Sequence, residues 1–202
     1  VEARGRFMHE ASQQNPGTLA VVLGLDRDQV QKVLTPFQEQ DTEVWIANLN
    51  CPGQVVIAGQ KAAIQVIDPV LKDRGAKRVM FLEVSGAFHT PYMKSAQEKL
   101  APMIEAAPMV DSEVLFTSNV TGGLVSDLSE IKKNLIAQVA SPTLWERDIK
   151  AMDRAGTELF IEIGCGKTLA GMNRKIKPRG STVSVEKLED LAQLENNELL
   201  KG

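Results

Sequence analysis

Few side chains in this sequence could carry out chemistry, and the most suggestive lies in the stretch SGAFHTPYMK, residues 85–94. His89 is one of two histidines among 202 residues. It follows a strand-like run ending near Val84, and the next two residues, Thr90 and Pro91, suit the N-cap and first position of a helix. A residue between a strand end and a helix start would stand at the carboxyl edge of a parallel sheet, where ligand sites gather. The positive end of the helix dipole disfavours an imidazolium there, so the ring stays neutral and able to accept a proton. An isolated histidine is more often a satisfied structural residue, so the weight rests on its polar neighbours.

Asn48 and Asn50 stand two apart near the end of an extended segment, on one face, where paired amides can orient a polar ligand. Turn formation before Pro52 is the competing explanation. Arg4 carries a guanidinium that can grip a carboxylate through two parallel hydrogen bonds, although a surface salt bridge is the simpler role. The run GCGKTL, residues 164–169, imitates a phosphate loop. Ile161 stands where the first glycine of such a loop belongs, and Leu169 where the third glycine of a dinucleotide fingerprint would be. A tight strand-to-helix turn explains it better, and nucleotide binding is rejected. Cys51 and Cys165 form neither a disulfide framework nor a metal pair. His9 falls on the polar side of its helix, where an exposed histidine is ordinary.

Hydrophobic residues make up 43% of the chain, enough for one sizeable core and a small satellite. The net charge of −3 argues against nucleic-acid binding. Basic residues cluster at Lys72, Arg74, Lys77 and Arg78, and again at Arg174, Lys175, Lys177 and Arg179. Either cluster is a solvated face or a dock for an acidic partner. No apolar run reaches bilayer-spanning length and no signal-peptide pattern opens the chain, so a soluble, cytoplasmic protein without membrane contact is expected.

The elements that must position these side chains fall into two groups. Residues 18–82 read as β-α-β-β-α-β, the split βαβ or ferredoxin-like order, with an Asp26–Gln29 capping box and a helical stretch interrupted at Pro69. From Ser85 onward, helices alternate with strands, including an apolar TELFIEIG strand of the kind buried on both sides. The first residues are already in helical rhythm, with Val1, Ala3, Phe7, Met8 and Ala11 on broadly one side. The reading is a small domain inserted into an α/β domain entered part-way. The domain limits are residues 1–16 with 83–202 for the large part and 17–82 for the small one.

Six segments then carry a resemblance: VEARGRFM, NLNCPGQVVIAG, GAKRVMFLEVSGAFHTPYM, FTSNVTG, QVASPTLWERDI and IEIGCGKTLAG. In this order they resemble the malonyl-CoA:acyl-carrier-protein transacylases of bacterial fatty-acid synthesis, from Val1 to about Ile176. The resemblance implies an α/β-hydrolase-like parallel-sheet core, incomplete at the N-terminus, with an inserted ferredoxin-like subdomain. It implies His89 as general base, held by the main-chain carbonyl of Gln138 in place of a triad aspartate. It implies Arg4 as partner of the malonyl carboxylate, Asn48 and Asn50 lining the site, and Phe88 crowding out a methyl branch. Malonyl-CoA and acyl carrier protein would be the partners, with no metal and no bound cofactor, and a monomer is expected. The resemblance departs at Cys165, where the family usually has Pro, and in the nucleophile. No Gly-His-Ser-x-Gly elbow occurs, so the serine and the oxyanion loop are expected upstream of Arg4, and the 202 residues alone are expected to be inactive. A polyketide acyltransferase domain and a non-catalytic partner-binding fragment stay open as alternatives.

Overall fold

The computed structural model describes residues 1–195, and the last residues of the expected C-terminal acidic helix lie outside them. Helix α1 (Glu2–Gln14) opens the chain and buries Met8, Ala11 and Ser12. Val1, which the spacing places on the same stripe, is exposed. Strand β1 (Thr18–Leu23), helix α2 (Arg27–Gln38), strands β2 (Val44–Cys51) and β3 (Gln54–Gly59), helix α3 (Lys61–Asp73) and strand β4 (Arg78–Phe81) follow. The four strands form one antiparallel sheet in the order β2-β3-β1-β4. This is the βαββαβ connectivity anticipated from the sequence.

Central strand β1 is buried on both faces, and its alternation decides what each face meets. Ala20 and Val22 join Val30, Val33 and Leu34 of α2 and Ile64, Ile67 and Leu71 of α3. Leu19 and Val21 point to the other face, with Ala47, Val56, Ala58 and Ala87. The capping box forms as expected: the Asp26 carboxylate accepts from Gln29 N at 2.8 Å, and Asp26 N donates to Gln29 Oε1 at 2.9 Å. Pro69 does not interrupt α3. It sits on the exposed side of that helix, and the buried Ile64, Ile67 and Leu71 stripe holds the cylinder together across the missing N–H.

Beyond β4 the chain turns through residues 82–90 into a short 3-10 turn, Pro91–Met93, which runs directly into α4 (Lys94–Glu105). Helices α1 and α4 share an apolar cluster of Met8, Ala11, Met93, Ala96 and Leu100, with Val139. Strands β5 (Phe116–Ser118) and β6 (Gly123–Val125) form a small hairpin. Helix α5 (Leu128–Ala137) continues into a 3-10 turn, Gln138–Ala140, and α6 (Trp145–Arg154) follows. Strand β7 (Leu159–Ile163), helix α7 (Thr168–Ile176) and strand β8 (Ser181–Val185) make a parallel β-α-β unit. A last 3-10 turn (Leu188–Leu191) leads to α8 (Ala192–Glu195).

The fold is mixed α/β, but an extended parallel sheet is not what the described residues form. Their strand-to-strand parallel pairing is β7 with β8 alone. β7 is accordingly not buried on both sides: Ile161 is 40% and Ile163 82% exposed. The apolar composition that predicts a central strand is present, while the covering neighbours are not among these residues.

Candidate active site

His89 sits in the turn between β4 and α4, and its surroundings differ from the expected strand end of a parallel sheet. The preceding strand belongs to the antiparallel sheet and ends at Phe81. His89 itself has φ of 61°, the left-handed region that non-glycine residues rarely occupy. Thr90 takes the N-cap role read from the sequence, with Oγ1 accepting from Tyr92 N at 3.3 Å. The same hydroxyl donates to the Ala87 carbonyl at 2.5 Å, closing the turn from inside.

The imidazole is held across 49 residues of sequence. His89 Nδ1–H donates to the Gln138 main-chain oxygen at 3.1 Å. A carbonyl can only accept, so with the proton on Nδ1 this bond is made and Nε2 keeps its lone pair; the Gln138 side-chain amide, 3.3 Å from the same nitrogen, can donate to it only in the other tautomer. The Gln138 side-chain amide donates to Ser141 O at 3.0 Å, which ties down the loop that supplies the carbonyl. Burial pushes the His89 pKa below its ordinary value, and the positive charge of Arg4 acts in the same direction. The carbonyls of Gln138 and Ser141 oppose that shift without overcoming it. Burial, the largest cause of that shift, thus favours the neutral ring.

A cavity of about 480 Å³ holds His89 together with Trp45, Ile46, Leu49, Val120 and Leu144, and with Arg27 and Arg147. Arg4, half-buried on α1, is in no ion pair among the described residues. Asn48 is half-buried and Asn50 buried. Strand β2 carries register shifts between Ile46 and Asn48 and between Leu49 and Cys51, so simple alternation does not put the two amides on one face. The backbone around Asn48 is tied to the Gln138 loop, because Leu49 N donates to Thr143 O and Thr143 N to Ala47 O. Phe88 is separated from this cavity. It lines a different cleft, of about 1270 Å³, beside Phe81, Leu82 and Val84.

The discarded motifs have structural explanations. Gly164 and Gly166, with φ of 134° and 82°, make the tight turn before α7. The amides at the start of α7 are already taken: Leu169 N and Ala170 N donate to the Glu162 carboxylate at 2.8 and 3.0 Å. Burial disfavours the ionised carboxylate, but these bonds and one from Ser184 Oγ outweigh it and hold the Glu162 pKa low. A helix N-terminus served by its own glutamate has no need of a phosphate. Cys51 is buried, which pushes its thiol pKa up, and Cys165 is exposed. Among the described residues no group of three or more His, Cys, Asp or Glu side chains is placed to hold a metal, and no helix is long and apolar enough to cross a membrane.

Comparison with known proteins shows what the chain is similar to. No protein-family model matches the chain. It is 39% identical over 191 residues to the malonyl CoA-acyl carrier protein transacylase of Bacillus subtilis, covering 95% of this chain and 60% of that one. The chain is homologous to the malonyl-CoA:acyl-carrier-protein transacylases. It spans about three-fifths of the length of the curated relatives it matches. An acyl carrier protein S-malonyltransferase of Vibrio cholerae superposes with a TM-score of 0.89 at 33% identity, over 96% of this chain and 63% of that one. A malonyl-transacylase solved in complex with a type II PKS acyl-carrier protein gives 0.90 at 32% identity, over 97% and 63%. The turn bearing His89 and the loop bearing Gln138 both fall within the stretch this transacylase family shares with the chain.

Proposed function

We propose that these residues form the histidine-bearing part of a malonyl-CoA:acyl-carrier-protein transacylase of fatty-acid biosynthesis. The large part comprises residues 1–16 with 83–202, and the small part residues 17–82. The nucleophilic serine comes from residues outside this sequence. That serine attacks the malonyl thioester while His89 Nε2 takes its proton; the proton passes to the leaving thiol, giving a malonyl-serine ester and free coenzyme A. The phosphopantetheine thiol of acyl carrier protein then gives its proton to His89 and attacks the ester, and serine recovers the proton as it leaves. Arg4, in no ion pair among the described residues, pairs with the malonyl carboxylate, and Asn48 and Asn50 offer side-chain amides that make no hydrogen bond among those residues. Phe88 acts as the filter against a methyl branch only if the residues that complete the large part turn its cleft toward the acyl group.

The single observation that carries this reading is the His89 Nδ1–Gln138 carbonyl bond, which leaves Nε2 as a proton acceptor in a buried pocket. The test joins the chain to whatever coding sequence precedes Val1 and measures malonyl transfer from labelled coenzyme A. A Gly-His-Ser-x-Gly motif and turnover are expected, with Arg4→Ala losing malonyl transfer by roughly 10- to 100-fold while transfer of acetyl is kept. A start codon close to Val1, or equal loss of both acyl groups, overturns the reading. The likeness to a transacylase bound to a polyketide carrier supports a second reading, service to a polyketide synthase, which a neighbouring ketosynthase gene would favour.

A further inference from the structure

A second polar cluster lies beyond the His89 turn. Tyr92 Oη donates to Glu43 Oε2 at 2.6 Å. Gln60 Nε2 donates to the same carboxylate oxygen at 3.0 Å and lies 3.2 Å from Tyr92 Oη. The Trp45 ring meets the Tyr92 ring edge-on, with centroids 5.3 Å apart. Glu43 immediately precedes β2 and Gln60 immediately follows β3, so the pairing of Val44 with Gly59 brings them side by side. That closeness requires glycine at 59: a Cβ there would stand 2.2 Å from the Glu43 carbonyl oxygen. Burial and the bond to Glu43 raise the Tyr92 pKa, so the hydroxyl keeps the proton it donates.

Tyr92 follows His89 by three residues, within the 3-10 turn Pro91–Met93. Between them, Thr90 is 1% exposed and bonds both to Ala87 O and to Tyr92 N. The left-handed backbone of His89 is therefore bracketed by a turn closed through Thr90 and anchored through Tyr92 to the ends of two sheet strands. The Tyr92 ring also packs against the apolar clusters on both sides of the turn.

We propose that Tyr92 is a positioning residue for His89: its clasp with Glu43 and Gln60 locks residues 87–92 onto the four-stranded sheet and so holds the imidazole on the Gln138 carbonyl. This rests on reading His89 as the base, and it explains how a ring held in the large part stays in register with a sheet formed in the small one. A merely stabilising surface contact would leave the imidazole unaffected by its loss.

The test is imidazole nitrogen NMR on the full 202-residue chain, with exposed His9 as the internal reference. Wild-type His89 is expected as the Nδ1–H tautomer with a depressed titration midpoint. Tyr92→Phe and Glu43→Ala are expected to make the Nε2–H tautomer the major species. They should also raise the midpoint by about half a unit or more, because the burial that depresses it is relieved. Glu43→Gln keeps an acceptor oxygen and should retain wild-type behaviour, and the double variant Tyr92→Phe/Glu43→Ala should add nothing to either single change. If the variants melt earlier but His89 keeps its tautomer and midpoint, the clasp is structural only and the proposal is overturned. Glu43→Ala, which leaves Tyr92 itself unchanged, carries the same test should Tyr92→Phe fail to fold. The spectra need no substrate. Absence of malonyl transfer by the chain joined to its preceding coding sequence, with the coupling intact, would therefore sink the transacylase reading and leave the clasp standing.

Discussion

Strands β1 and β7 are close in character, TLAVVL and LFIEI, yet they end in opposite environments. Five of the six β1 residues are buried, whereas of the five in β7 only Phe160 is. β1 has a strand on each side, two helices over one face and the His89 turn over the other. Among the described residues β7 pairs with β8 alone. Apolar composition creates a core only where neighbours arrive to cover it. In this chain the four-stranded sheet is complete in that sense and the β7–β8 unit is not. The candidate site lies against the complete half.

The contrast breaks most easily at the sheet. Ile57 on β3 is fully buried between the sheet and its helices. Ile57→Ala is expected to cost about 2–5 kcal/mol in urea unfolding; a loss under about 1 kcal/mol would mean that the sheet is not where stability resides. A middle-sized effect is expected at Asp148, on α6, which is buried with Oδ1 lacking a hydrogen-bond partner among the described residues. Burial raises its pKa from 3.8 to about 7. Between those values the folded chain holds a proton that the unfolded chain has shed. The stability this contributes is complete below the unfolded pKa and is lost as pH rises through about 7. Asp148→Asn should therefore match wild type near pH 4 and exceed it by roughly 1–3 kcal/mol at pH 8. A gap independent of pH would show that Asp148 ionises normally. The smallest effect belongs to Ile163, where Ile163→Thr should change stability by less than about 0.5 kcal/mol. A larger loss would reveal a cover over β7 and erase the comparison.

Legibility followed the same line. The Asp26–Gln29 box, the Thr90 cap and the order of elements across the sheet were readable because each depends on residues a few positions apart. Pro69 misled, because propensity weighs one missing hydrogen bond while the helix is held by three buried side chains. The parallel sheet was read from strands alternating with helices, and of it the described residues hold the β7–β8 pair. Of the site, His89 stood out by rarity and position, but its bond to Gln138 was available only through family resemblance. The Glu43–Gln60–Tyr92 cluster gave no signal at all, since its members are brought together by strand pairing. The register shifts beside Asn48 and Asn50 are equally invisible to an alternating pattern.

The left-handed backbone at His89 bears on how this residue should be interrogated. An alanine there removes the imidazole and still keeps a Cβ in a conformation costing about 1–2 kcal/mol, a cost that His89 itself already bears. Asparagine tolerates that region and cannot act as a base. The pair of replacements separates what the ring does from where the chain must go, and a difference between them measures the backbone's share.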